Sequence, residues 1–221
     1  MFESMFQMIA PHHCVNCNAR GQIICEKCVQ FEIKKTAETC YRCNKLSKNY
    51  RTCPGCRSSS SIYALFKISL YESPIKELVL ETKFASAREG ADALGVLIAS
   101  RMPEYDFDIV TYIPTDTKRV RYRGFDHAYR MARALALYHQ KPISGLLIRR
   151  THTRQFGSTR YQRKQQMETA FVVSPKSALT NKKILLVDDV VSTAASIEAA
   201  AKTLKMAGAR RVTAVVAAHN R

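Results

Sequence analysis

All eight cysteines of this 221-residue chain fall between Cys14 and Cys56, in four pairs of one spacing, and the 165 residues that follow contain none. The pairs are Cys14-Val-Asn-Cys17, Cys25-Glu-Lys-Cys28, Cys40-Tyr-Arg-Cys43 and Cys53-Pro-Gly-Cys56. Two residues between thiols let one tight turn aim both sulfurs at a single ion while its backbone amides donate to them, and two such turns complete a tetrahedron. Four pairs therefore predict two structural zinc sites of four cysteines each. Redox chemistry is the rival reading, but it needs one pair at a helix start beside a βαβ pattern and gives no reason for four copies. Sequential sharing, Cys14/Cys17 with Cys25/Cys28 and Cys40/Cys43 with Cys53/Cys56, gives two successive ribbon-like units; an interleaved cross-brace uses the same ligands. A module this short buries little core, so metal binding supplies its folding energy, and closed sites of this kind are not catalytic.

The zinc module is expected over residues 1–61, ending in the polar run Ser58-Ser59-Ser60-Ser61, which reads as a linker or hinge. A main domain is expected over 62–221. Its pattern gives strands at 62–71, 108–113, 143–149, 183–187 and 212–217, with helices at 74–84, 89–101, 125–139 and 196–207. Near-continuous apolar strands such as Ile184-Leu185-Leu186-Val187, alternating with helices, predict an α/β fold with an open, mainly parallel sheet covered on both faces. The longest apolar runs, such as 93–99 and 212–218, fall far short of a transmembrane segment. Residues 1–11 lack the basic flank and cleavage site of a secretion signal, so a reducing, cytoplasmic location is expected.

In open α/β sheets, ligands sit beyond the carboxyl ends of the strands. There, Ile184-Leu185-Leu186-Val187 runs into Asp188-Asp189 and then Val190-Val191-Ser192-Thr193-Ala194-Ala195-Ser196. The helix that follows is carried by Ile197, Ala201, Leu204 and Gly208. Its N-terminus offers unpaired amides, and Ser192, Thr193 and Ser196 add hydroxyls, which together form a phosphate cradle. The two carboxylates can accept hydrogen bonds from the vicinal hydroxyls of a sugar. The bland alternative is a turn with a helix cap.

The formal net charge is +17, from 35 Lys and Arg against 18 Asp and Glu, and it favours a polyanionic partner. Twelve of those charges lie in residues 118–164, where 13 Lys and Arg face one acid, Asp126. Arg119, Arg121 and Arg123 alternate, and on an extended loop they project to one side. The helix after them is expected to bury Phe125, Tyr129, Ala132 and Ala136 and to turn Arg130 and Arg133 to water. A basic belt of Lys118, Arg119, Arg121, Arg123, Arg130, Arg154, Arg160, Arg163 and Lys164 is read as nucleic-acid-binding, with Tyr122, Phe125, Tyr129, Phe156 and Tyr161 available to stack on unpaired bases. His127 reads as a satisfied surface histidine. No acyl-transfer triad or Walker loop is present in the sequence.

The segment around Asp188 and Asp189 resembles the phosphoribosyl pyrophosphate (PRPP) motif of type I phosphoribosyltransferases. The four cysteine pairs, Tyr112-Ile113-Pro114, Arg121-Tyr122-Arg123-Gly124-Phe125-Asp126-His127-Ala128, Arg150-Thr151, Gln155, Arg163 and Ala170-Phe171 fall in an order similar to that of the ComF family of competence proteins, which includes amidophosphoribosyltransferase-like proteins. The resemblance implies that Asp188 and Asp189 are the catalytic acids that bind the ribose hydroxyls, with Val190 to Ser196 around the 5-phosphate. It places Pro114, Thr115 and Asp116 at the pyrophosphate, with Mg²⁺ held largely by PRPP oxygens, and Arg121 and Arg123 are assigned to PRPP binding as well. It further implies single-stranded DNA as a partner, a role in DNA uptake during natural transformation, and the DNA-translocation helicase of the competence machinery as a neighbour. The sequence departs from the family at Ala194, where Gly is usual, and at Gln166, where Asn is usual. Two other readings stay open: a non-catalytic nucleic-acid-binding protein that keeps the fold, and a nucleobase salvage enzyme. Oligomeric state is not legible.

Overall fold

The structure is a computed structural model, and it describes residues 12–84, 88–150, 170–175 and 179–220. Its centre is a four-stranded sheet of β1 (Ala64–Leu70), β2 (Ile109–Tyr112), β5 (Lys183–Val191) and β6 (Arg211–His219). The strand order is β1-β6-β5-β2, and every pair is parallel, so all four carboxyl ends lie on one edge. A separate antiparallel pair joins β3 (Leu147–Arg149) to β4 (Phe171–Val173). The expected open parallel α/β sheet is thus present.

Alternation along the central strands sorts their side chains into two cores. Leu185, Val187, Val215 and Ala217 pack with Leu78 and Val79 of α3 (Ile75–Phe84), Leu94 and Ile98 of α4 (Arg88–Arg101), and Met131 and Leu135 of α6 (His127–Tyr138). On the other face Ile184, Leu186, Ala214 and Val216 pack with Ile197 and Leu204 of α7 (Ala195–Met206) and with Leu147 and Phe171. Burying each large aliphatic side chain contributes roughly 2 kcal/mol. The cysteine-bearing segment carries two short helices, α1 (Glu26–Phe31) and α2 (Pro54–Arg57). It shares the first core, since Ile24, Ile33 and Tyr50 are buried in it and the Tyr50 ring meets Phe66 edge-on at 5.1 Å.

Several expectations are corrected. Residues 117–123 form a helix, α5 (Thr117–Arg123), not an extended loop. Asp116 caps it by accepting from Lys118 N at 2.9 Å, and Gly124 closes it at φ 77°, a left-handed conformation that glycine adopts without strain. Helical geometry separates the alternating arginines: Arg119 and Arg121 are exposed, whereas Arg123 is buried. Strand β5 runs on to Val191 because β6 continues beside it, pairing Asp188 with Val216 and Val190 with Ala218, so the two acids lie inside the strand. The expected strand at 143–149 divides: Ile143 bridges to Val110, and Leu147 begins the antiparallel pair. Tyr129 is 39% exposed, and Arg130 pairs with Asp92 of α4. The serine run is tied down, because Ser61 N donates to Glu198 of α7 at 2.5 Å and Ser60 Oγ lies 2.6 Å from the Tyr41 hydroxyl. No helix among the described residues is long and apolar enough to cross a membrane.

Candidate functional site

The cysteines form two groups, Cys14/Cys17/Cys25/Cys28 and Cys40/Cys43/Cys53/Cys56, with all sulfurs of each group within 4.8 Å of one another. Sharing is therefore sequential, and the cross-brace is set aside. Four thiolates on a tetrahedral zinc stand about 3.8 Å apart; Cys17 and Cys25 are 3.6 Å apart and Cys43 and Cys53 3.5 Å. The two units repeat one design. In each, the first pair lies on a turn closed by an asparagine at positive φ, Asn18 at 59° and Asn44 at 57°. The second pair opens a short helix, with Cys25 and Cys53 at the N-cap. Burial opposes ionisation of Cys14 and Cys40, yet amides donated by their own turns and by Cys25 and Cys53 outweigh it and lower each thiol to about 6. Each quartet is a donor set that fits one zinc ion.

At the carboxyl edge of the sheet, Asp189 is 7% exposed and is the hub of a polar cluster. Its Oδ2 accepts from Lys83 Nζ at 2.5 Å and lies 2.7 Å from His127 Nε2, while its Oδ1 accepts from Val190 N at 2.6 Å. Arg123 NH1 donates to His127 Nδ1 at 2.8 Å, and Arg123 Nε donates to the Lys83 carbonyl at 2.7 Å. A guanidinium cannot accept a hydrogen bond, so Nδ1 is the acceptor and Nε2 carries the imidazole proton that points at Asp189. His127 is thus a buried, oriented group, not a surface histidine.

The turn after β2 joins the same cluster. Thr115 Oγ1 donates to Asp126 Oδ1 at 2.8 Å and sits 3.2 Å from His127 Nδ1. Asp126 also caps α6 by accepting from Ala128 N and Tyr129 N. Pro114 O accepts from Arg149 Nε at 2.9 Å. Asp188 is partly buried, and one of its oxygens accepts from Asp189 N at 2.9 Å. Burial and the neighbouring Asp189 charge push its carboxyl up to about 8. For Asp189 burial acts in the same direction, but the His127 hydrogen bond and the Lys83 ammonium outweigh it and hold the carboxyl well below the usual range.

Beyond Val191 the chain turns through Ser192 and Thr193, both exposed, into α7. Ala194 is the N-cap residue at φ 57° and ψ 6°, and no side chain caps the helix. Its first amides, with Ala195 and Ser196 beside them, form an uncapped, partly positive helix end suited to an oxyanion. Asp188, Asp189, Pro114, Thr115 and the 190–196 turn are therefore brought to one edge. Lys118, Arg119 and Arg121 are exposed on α5, whereas Arg123 is spent inside the cluster. Arg154, Arg160, Arg163, Lys164, Phe156, Tyr161, Gln155 and Gln166 lie outside the described residues.

Residues 120–221 match the model of the phosphoribosyl transferase domain. With the parallel sheet and its acid-bearing strand, this decides the fold. The α/β body has a phosphoribosyltransferase-type fold. Among solved structures, the chain is similar to the glutamine PRPP amidotransferase from B. subtilis complexed with ADP and GMP, with 18% identity over 62% of this chain and 30% of that one and a TM-score of 0.46. It is similar also to the purine phosphoribosyltransferase from Pyrococcus horikoshii, with 17% identity, 57% and 71% coverage and a TM-score of 0.38. The orotate phosphoribosyltransferase from Aeropyrum pernix gives 20% identity, 64% and 62% coverage and a TM-score of 0.34. The chain spans less than a third of the amidotransferase's length. No curated protein matches it.

Two members of the phosphoribosyltransferase-type body's cluster, Lys83 and His127, were not legible as site residues. Lys83 lies in the last turn of an ordinary amphipathic helix upstream of the matched region. His127 had one usable signal, its place directly after the capping Asp126.

Proposed function

We propose that this is a ComF-family protein whose phosphoribosyltransferase-type domain, residues 62–221, binds PRPP with Mg²⁺ and whose N-terminal module, residues 1–61, holds two structural zinc ions. The observation that carries the reading is the meeting, at one sheet edge, of the Asp188/Asp189 pair, the uncapped start of α7 and the Pro114-Thr115-Asp116 turn. Ribose hydroxyls donate to the carboxylates, the 5-phosphate takes the α7 amides, and pyrophosphate lies toward the turn after β2. Magnesium keeps most of its waters and takes its other ligands from PRPP oxygens. The described residues supply no nucleophile for the sugar, so transfer would proceed by electrostatic stabilisation of departing pyrophosphate.

Single-stranded DNA is the second proposed ligand. Support comes from the charge of residues 118–164 and from the exposed Lys118, Arg119, Arg121 and Tyr122 on α5, close to the same edge. A cytoplasmic role in DNA uptake, beside a translocating helicase, follows from the family resemblance. A non-catalytic reading is favoured by one observation: Ala194 places a methyl group at a left-handed position beside the phosphate cradle.

The deciding experiment is pyrophosphate release from Mg-PRPP with and without single-stranded DNA, paired with ligand-induced thermal shift. A shift with Mg-PRPP and salt-dependent DNA binding are expected. Absence of any Mg-PRPP shift in the wild-type protein would falsify the ribose-phosphate reading. Turnover without DNA separates an enzyme from a binding protein.

A further inference from the structure

We propose that the amino edge of the sheet holds a second anion site, for a single phosphate group, at the seam between the cysteine-bearing segment and the α/β body. It is remote from the acid pair: β6 starts at Arg211 beside this site and ends at His219, roughly 25 Å away at the usual rise per residue. It does not depend on the PRPP reading.

The site is built on Tyr63, directly before β1. Its amide donates to the Val212 carbonyl and its carbonyl accepts from Thr52 N, each at 2.8 Å, so main-chain bonds fix it to β6 on one side and to the second cysteine unit on the other. Three guanidinium groups gather on its ring: Arg211 at 4.8 Å from the centre, Arg57 at 5.4 Å and Arg51 at 5.6 Å. The ring's quadrupole attracts their charge but supplies no oxygen acceptor, so the five N–H groups of each guanidinium still call for partners. Few are present. Arg211 NH2 donates to the Asp106 carbonyl at 2.7 Å and stands 3.3 Å from the Asp106 carboxylate, while its buried Nε has no partner. Arg57 NH2 donates to the Thr52 carbonyl at 3.1 Å, and Arg51 is exposed.

Arg51, Tyr63 and Arg211 line a cavity of about 120 Å³, completed by Asn49, Tyr105 and Thr213. Tyr105 ties its walls together by donating its hydroxyl to the Asn49 carbonyl at 2.9 Å. At about 30 Å³ per water, the space suits about four waters or one tetrahedral oxyanion and is too small for a whole nucleotide. Charge selects the same ligand. Asp106 lines the cavity but is shared between Lys183 and Arg211, and Glu104, the other acid there, is exposed to water. Setting these two acids against Arg51, Arg57, Lys183 and Arg211 leaves two positive charges unanswered, the charge of one phosphate dianion. Guanidinium forks are the donors that grip such a group best. Free phosphate and the end of a phosphomonoester present this chemistry alike.

The test titrates inorganic phosphate, then adenosine monophosphate, into the full, zinc-replete chain by calorimetry at fixed ionic strength. Ser192→Asp serves as the parent, because a carboxylate in the turn before α7 keeps phosphate from the opposite edge. One phosphate per chain is expected in that background. Arg51→Ala should lower its affinity about 10-fold, and Arg51→Ala with Arg57→Ala about 100-fold, while the melting temperature without ligand stays within about 2 °C of the parent. Arg211→Lys, which keeps a cation for Asp106 but loses the fork, should also weaken binding in a folded protein, and Tyr63→Phe should preserve it. Equal affinity for the two ligands assigns the site to free phosphate, and tighter binding of the monophosphate assigns it to a phosphomonoester. No phosphate bound by the Ser192→Asp protein, or undiminished binding in the double arginine variant, overturns the proposal. So does displacement of phosphate by an oligonucleotide without terminal phosphates, which would make these arginines part of a face for a polyanion.

Discussion

At Ala194 one methyl group sits at the junction of stability and binding. A left-handed φ brings Cβ close to the following carbonyl and costs an L-residue about 1–2 kcal/mol, and glycine escapes it. Ala194→Gly is therefore expected to stabilise the protein by about 1 kcal/mol, net of the glycine's greater unfolded-state entropy. A melting curve with no gain, or a loss, contradicts the strain. Asp188 gives a second residue-scale prediction, this time in pH. Its carboxyl titrates near 8 in the fold against 3.8 ordinarily, so the native state holds a proton that the unfolded chain has released. Stability should accordingly fall as pH rises between about 4 and 8. Asp188→Asn should flatten that slope, as read by denaturant melts across the range. Asp189 acts with the opposite sign: its depressed value adds stability above the ordinary carboxylate range, lost as pH falls through the folded value.

Helices α4 and α6 meet where Gly95 lies against the Met131 carbonyl and the Ala134 side chain. A methyl group there would fall inside contact distance of backbone, which cannot move as a flexible side chain can. Gly95→Ala is expected to cost about 1–3 kcal/mol, visible as a lowered denaturation midpoint with an unchanged slope. The same scale explains what could be read in advance. The main strands and the long helices were legible because their apolar periodicity is local. The acid pair was legible because its chemistry is contiguous in sequence. The helix at 117–123 was obscured by alternating arginines that mimic an extended segment, although Asp116 before it and Gly124 after it are cap signals. Strand β4 is three residues long and exists only through its pairing with β3. Lys83 and His127 escaped because their role is set by which elements pack beside β5, and the one local trace of it is the place of His127 directly after the capping Asp126.

At the scale of the described molecule, the cysteine-bearing segment packs into one of the two cores of the four-stranded sheet. Metal analysis should find two zinc ions per chain, and a chelator should lower the melting temperature of the entire protein, since Ile24, Ile33 and Tyr50 belong to the sheet's own core. Independent melting of the two parts would contradict that shared core. The second cysteine unit also makes one particular contact: Tyr41, inside the Cys40/Cys43 turn, donates its hydroxyl to Glu198 Oε2 at 2.5 Å. Glu198 lies in the first turn of α7, immediately after the turn assigned to phosphate. Burial and the Glu198 carboxylate push the Tyr41 phenol above its usual range, so the contact persists as a neutral donor at every physiological pH. The contact is a physical link between the second cysteine quartet and the start of α7. By reciprocity, whatever factor zinc adds to the affinity of the phosphate end, a bound phosphate returns to the retention of zinc.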